Sequence, residues 1–264
     1  MRVLRPLQLA WLFFRVGALN ELQYRVNFGM HVFHSALSLA TGLVVLALVF
    51  SYTTELRGWS QAELLAVLGV HILMGGAIRV GIQPNMSRLI EEVRDGKLDY
   101  ALTKPEDAQL LVSLREVRIW QGVDFVTGAA VLAVALTRVE AQTGIVDALL
   151  FGVLLLGGAL MVYCFWLVLA TGAFWVVRMD MADELFQGVY QTGRWPVGIY
   201  PPLLRVWLTF LVPIAFAVTV PAEAATGRLE WTTVAAAGAF GTALFAFSRW
   251  FFRRGLRRYS GASA

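Results

Sequence analysis

Six stretches of this chain are long and apolar enough to cross a lipid bilayer: 28–50, 64–82, 119–137, 148–177, 202–220 and 231–252. A hydrocarbon core of about 30 Å takes about 20 apolar residues in helical form. Nothing constrains a fold more, because within lipid the backbone must satisfy its own hydrogen bonds. Only 15% of the residues are charged, against about 25% in soluble domains. The chain therefore reads as an all-α integral membrane protein with six transmembrane helices. The third stretch is short and opened by Asp124. The fourth would extend roughly 45 Å as a helix, so it has to tilt or project. The fifth carries Pro213 near its middle and Pro221 beyond its end, which predicts a kink or a partly re-entrant outer half.

Basic residues set the expected orientation, because positively charged loops stay on the cytoplasmic side. With both termini inside, nineteen of the 22 Lys and Arg residues fall on the inner side. They lie in the N-terminal segment, around 79–118, between spans four and five (Arg178, Arg194, Arg205) and after Arg249. Only Arg57, Arg138 and Arg228 remain outside. Ahead of the first span, Leu7, Trp11, Phe14, Ala18 and Leu22 share a helical face, with Arg5, Gln8, Arg15 and Gln23 roughly opposite. That pattern suits an amphipathic interfacial helix over 1–27. A secretory signal is the other reading, but Arg15 cuts its apolar run short and no small-x-small cleavage site follows. Residues 253–264 form a basic tail, read as an anchor to the inner leaflet.

The one long charged interruption runs between spans two and three, over 83–118. From Arg79 to Arg118 it carries seven basic and seven acidic residues. A lipid anchor would be one-signed, so a balanced surface suggests a protein partner. Asn85 is placed to N-cap a helix that Gly96 would end. Between them Met86, Leu89, Ile90 and Val93 form one apolar stripe, with Glu91, Glu92, Arg94 and Asp95 off it. Leu98, Tyr100 and Leu102 then alternate as in an extended segment, and Pro105 starts a second helix with Glu106 and Asp107 in its first turn.

The spans themselves look free of ionisable groups, since Arg79, Asp124 and Arg249 all fall near ends. Ion-coupled pumps bury such groups near the midplane, and no internal repeat of the transporter type is visible. No phosphate loop of the G-x-x-x-x-G-K-[ST] kind is present. Energy for uphill transport would therefore come through a partner. His31, His34 and His71 are read as buried or interfacial histidines, not metal ligands. Cys164 is the only cysteine, so neither an intramolecular disulfide nor a multi-cysteine metal site can form. The sequence pI of 9.5 does not imply nucleic acid, because the basic residues sit between apolar spans. Gly75, Gly76, Gly157, Gly158, Gly238 and Gly241 are expected to allow close helix packing.

Three motifs in order resemble those of the permease subunits of ABC-2 type exporters, in particular their six-helix subfamily. They are E-E-x-x-x-G-x-L-D-x-x-L-x-K-P from Glu91 to Pro105, R-W-P-x-x-I-Y-P from Arg194 to Pro201, and V-P-I-A-F-A-V-T-V-P-A from Val212 to Ala222. The second matches that subfamily's second cytoplasmic segment and the third its proline-marked outer part of span five. The Glu106-Asp107 pair after Lys104-Pro105 departs from the more apolar continuation expected.

The resemblance implies a multi-pass permease of the cell (inner) membrane. It would pair as a homodimer or heterodimer and dock a cytosolic ABC ATPase subunit. The chain itself would hold no cofactor and catalyse nothing, ATP and Mg belonging to the ATPase. The coupling helix, carried onto this sequence, is Met86, Arg88, Leu89, Ile90, Glu91, Glu92, Arg94, Asp95 and Gly96, with Glu91 and Glu92 outermost. The expected activity is export of a hydrophobic or amphipathic substrate, a drug or a lipid. The alternatives are a secondary transporter working without an ATPase, and a lipid-acting membrane enzyme built around Asp180, Asp183 and Glu184.

Overall fold

The computed structural model describes residues 11, 15, 25–104, 107–139, 144–176, 179 and 181–259, with the side chains of Arg25, Val26 and Tyr100 excepted. The interfacial helix expected over 1–27, the end of the basic tail, Pro105, Glu106, Arg178 and Asp180 lie wholly or largely outside those residues. Regular structure among the described residues is helical, with no strand. The chain runs through α1 (Arg25–Tyr52), α2 (Gln61–Arg94), α3 (Ala108–Leu114), α4 (Ile119–Leu136) and α5 (Ile145–Gly172). It continues through α6 (Ala182–Tyr190), α7 (Pro202–Leu211), α8 (Ala215–Ala225) and α9 (Trp231–Leu256). Five of these are long and apolar enough to span a membrane, namely α1 from Asn27, α2, α4, α5 and α9. The pair α7 and α8 makes a sixth candidate, bent by 78°. This is a multi-pass membrane protein.

The end of the bundle at which α1 starts is called proximal and the other distal. At the distal end α2 opens with a capping box: Glu63 N donates to Ser60 Oγ and Ser60 N to Glu63 Oε2. Arg228, just past α8, donates to Gly58 O and Glu63 Oε1 and lies over the Trp59 ring at 4.6 Å. Trp59 is therefore buried under a cation.

The core is centred on α2, whose side chains from Leu64 to Met74 are mostly buried. It packs closest on α4, and the contact is set by glycines. A Cβ on Gly128 would stand 2.4 Å from Leu73 N, and one on Gly69 2.7 Å from Leu132 N. Small residues let backbones approach in this way where lipid supplies no hydrophobic drive between helices. Gly158 of α5 admits the backbone of α8, with Phe216 O 2.5 Å from where a Cβ would be. Of the glycines singled out in the sequence, Gly76, Gly158 and Gly241 meet neighbouring helices, whereas Gly157 and Gly238 face open space. Gly75 meets only Arg79 of its own helix.

The expected fifth span, 202–220, is the bent pair of α7 and α8. The kink predicted at Pro213 is present, because Val212 is extended and separates α7 from α8. α8 starts beside Gly158, midway along α5, and ends at Arg228 near the distal turn. The proximal half at this place is filled by α6, which joins the α2 extension at Asp183 and the Gln61–Ala77 part of α2 at Tyr190. Residues 191–200 connect these halves inside the bundle, and α7 projects sideways with Leu203, Trp207 and Phe210 exposed.

Candidate functional site

α2 is 34 residues long, roughly 51 Å at 1.5 Å per residue, so its last turns extend past the thickness of a hydrocarbon core. The extension, Gln83–Arg94, has its own physical marks. The helix widens to i→i+5 bonding over Ile78–Ile82. Pro84 follows and has no N–H, which leaves the carbonyl of Val80 without its helical donor. The Arg118 amide takes that carbonyl at 2.9 Å. Asn85 completes the clip, its Nδ2 donating to Gly81 O and Glu116 O while its Oδ1 accepts from Glu116 N. Asn85 is therefore not an N-cap. The expected separate helix is a continuation of span two, and the asparagine ties that helix to the chain entering span three.

The end of the extension follows the expectation. Gly96 has φ +69, and Lys97 N donates to Glu92 O while Gly96 N donates to Val93 O. This pair of bonds is the Schellman arrangement, which requires a left-handed residue at Gly96. Met86, Leu89 and Ile90 are buried and Val93 half-buried, as the stripe requires. Arg88, Glu91, Arg94 and Asp95 are exposed. The Lys97 ammonium beside Asp95, with Arg94, holds that carboxyl below its ordinary range.

Glu92 departs from its expected outermost place. Its carboxylate accepts Arg115 Nη1 at 2.9 Å on both oxygens and Arg88 Nε at 3.0 Å, with only 13% of the side chain exposed. Its role here is to brace the extension against the end of α3. Beyond Gly96 the structure has a helical turn at Asp99–Leu102, not the extended segment expected. α3 starts after Asp107, which caps it by accepting from Gln109 N and Leu110 N.

The extension also holds α6. Ser87 Oγ lies 2.8–2.9 Å from both oxygens of Asp183, and Gln187 Nε2 donates to Gln83 Oε1. One turn further along, Phe186 packs on Trp166, and Tyr190 Oη donates to His71 O at 2.7 Å with the two rings stacked at 4.5 Å. Ser38 lies about halfway along α1, and His71 near the middle of the Gln61–Ala77 part of α2. Arg194 Nη2 donates to Ser38 Oγ at 3.2 Å, and Gly193 sits against His71 Nδ1. The segment from Arg194 expected as a cytoplasmic connection is thus packed beside the middle of α1 and the Gln61–Ala77 part of α2. Arg194 and Glu223 of α8, both half-buried, lie outside the six stretches expected as spans, and they are further ionisable groups among the packed elements. A second charge site lies nearer the proximal end, where Arg79 donates to Asp124 Oδ2 from Nη2 (2.6 Å) and Nε (3.2 Å), and Ser35 Oγ donates to Asp124 Oδ1.

Across residues 36–263 the chain matches the family described as ABC-2 family transporter protein. It belongs to that family. No curated protein matches the chain, and no solved structure does either. The family match includes the α2 extension, the Arg79–Asp124 pair and the Arg194 segment, so all of these belong to the ABC-2 membrane domain. That domain is the transport component of its system, and the family normally works with an ATPase partner. No cluster of His, Cys, Asp and Glu able to hold a metal ion occurs among the described residues. Of the residues of the alternative enzyme reading, Asp183 is engaged by Ser87 and Glu184 is exposed, while Asp180 lies outside the described residues.

The sequence reasoning missed Asn85 as a clip, the Glu92–Arg115 brace and Arg194 inside the bundle. Pro84 was the available signal for the first, because the carbonyl it strands must be satisfied elsewhere.

Proposed function

We propose that the chain is the permease subunit of an ATP-driven exporter of hydrophobic or amphipathic compounds. In this reading the residues from Met86 to Gly96 form the surface on which a cytosolic ATPase docks. The observation that carries it is the α2 extension, a rigid continuation of a core helix beyond the length of a span. It is closed by a Schellman turn, clipped by Asn85 and braced through Glu92, and it leaves Arg88, Glu91, Arg94 and Asp95 outward. A push on such a rod is transmitted to α2 directly and to α6 through Ser87–Asp183.

The proximal end is assigned to the cytoplasm and both termini to that side, with six crossings in the cell (inner) membrane. Arg194 and Arg205 drop out of the inner charge count, but Arg57, Arg138 and Arg228 still lie in or beside the three distal connections, in keeping with the positive-inside rule. Two permease chains, identical or similar, and two ATPase subunits make the complete transporter, with ATP and Mg bound by the ATPases.

The test is co-purification with the cognate ATPase and ATP-dependent export in proteoliposomes. Glu91→Lys together with Arg88→Glu, both on the exposed face, should abolish docking and export while the permease stays folded. Docking and export at wild-type levels in that variant would sink the coupling role.

A further inference from the structure

We propose that Arg194 recognises the anionic head, a carboxylate or phosphate, of the amphiphile this permease carries. The inference rests on the transport reading above and names the substrate class.

Three observations lead to it. The first is position: Arg194 is tied to Ser38, midway along α1, and adjoins through Gly193 His71, near the middle of the apolar Gln61–Ala77 part of α2. An ionisable side chain at that depth is costly and is compensated by a partner or used by a substrate.

The second is unused bonding capacity. A guanidinium carries five N–H donors, yet Arg194 makes one hydrogen bond among the described residues, to a neutral hydroxyl at 3.2 Å. Its Nε is buried and has no partner, and neither has the nearby Nδ1 of His71. No carboxylate lies within ion-pair distance of Arg194 among the described residues, while Asp124 is engaged by Arg79 and Ser35. A carboxylate or phosphate matches the guanidinium fork in charge and geometry.

The third is shape. Arg194 and Trp195 line a cavity of about 130 Å³ with Gly42, Leu46, Leu64 and Leu68. That volume accommodates a headgroup and not a long chain. Its other walls are apolar, and Val45 of α1 both lines it and is exposed on the outside of the bundle, an opening through which an acyl tail can leave. Head and tail of one anionic amphiphile thus have complementary places at adjoining positions.

The experiment uses the full-length permease alone, in phosphatidylcholine nanodiscs, so that it is independent of any ATPase. Binding of decanoate, decyl phosphate, decanol and decylamine is measured above empty discs. Wild type should bind at least one of the two anions about ten-fold more tightly than decanol, in line with a charge-assisted bond, and decylamine no better than decanol. Comparison of the two anions separates carboxylate from phosphate recognition. Arg194→Gln should abolish that preference while leaving decanol binding unchanged, and Arg194→Lys should keep part of it. Leu68→Phe, which fills the cavity and leaves the charge, should weaken anion binding as well; it provides the same test if Arg194→Gln does not fold. Equal binding of anions and decanol by wild type, or an anion preference that survives both Arg194→Gln and Leu68→Phe, overturns the proposal. Loss of ATPase coupling in the complete transporter with this binding intact would instead count against the exporter reading alone.

Discussion

Arg79 and Arg194 are the same residue type on two sides of His71, and they are treated in opposite ways. Arg79 makes two bonds to Asp124, which Ser35 also engages, so three helices meet in one closed ionic knot. Arg194 has one neutral hydroxyl and a buried Nε without a partner. The knot sits where α2 and α4 are locked by Gly69, Gly76 and Gly128, and where the backbone has no room to move. The open arginine sits in a segment with no long helix, two residues before Pro196 and beside a cavity. A charge with its counter-charge built in holds helices together; a charge without one is available for a ligand.

The comparison breaks most visibly at Asp124. Asp124→Leu leaves Arg79 buried without its counter-charge and should cost up to about 3 kcal/mol, the low end for splitting a buried pair because Arg79 is partly exposed. Thermal unfolding in nanodiscs measures it as a lowered midpoint. Arg79→Met combined with Asp124→Leu removes both charges and should recover most of that loss. A double variant no more stable than the single would mean that the knot is not an ion pair in energetic terms.

A second closed pair gives a smaller effect. Glu92→Gln keeps the shape of the brace and removes its charge, with Arg115 and Arg88 both losing a carboxylate. About 1–2 kcal/mol is expected from weakening charge-assisted bonds. The loss should appear as faster hydrogen exchange confined to Gln83–Arg94 and α3, with α4 and α5 unchanged. Protection unchanged at the extension would show that the Asn85 clip alone holds it.

How much of this was legible in the chain follows from the physics of each part. Long apolar runs mark α1, α2, α4, α5 and α9 because membrane spanning demands continuous hydropathy. Gly96 and the Met86, Leu89, Ile90 stripe were readable because a left-handed cap and a 3.6-residue period are local. Asn85 was misread as a cap because its partner Glu116 is set by a chain reversal some 30 residues long, which no local pattern encodes. Glu92 was placed outward because it falls off the apolar stripe, but Arg115 reaches it from α3. Arg194 was placed in a loop for a similar reason. Trp195-Pro196 and Tyr200-Pro201-Pro202 break the hydropathic run, and a broken segment inside a bundle looks like a connection outside it.

The smallest expected stability effect is the most informative for the comparison. Arg194→Gln removes a charge that has no built-in counter-charge, so nothing buried is orphaned by its loss except one bond to Ser38, which the glutamine amide can replace. Its unfolding midpoint should therefore change by the equivalent of no more than about 1 kcal/mol in either direction, the range of substitutions that neither split a buried pair nor open a cavity. A gain is as acceptable as a loss, because an unpaired charge at this depth costs desolvation that the neutral amide avoids. If Arg194→Gln instead destabilised the protein as much as Asp124→Leu, the guanidinium would have to be held by contacts as strong as those of Arg79. The distinction between a closed arginine and an open one would then fail at its root.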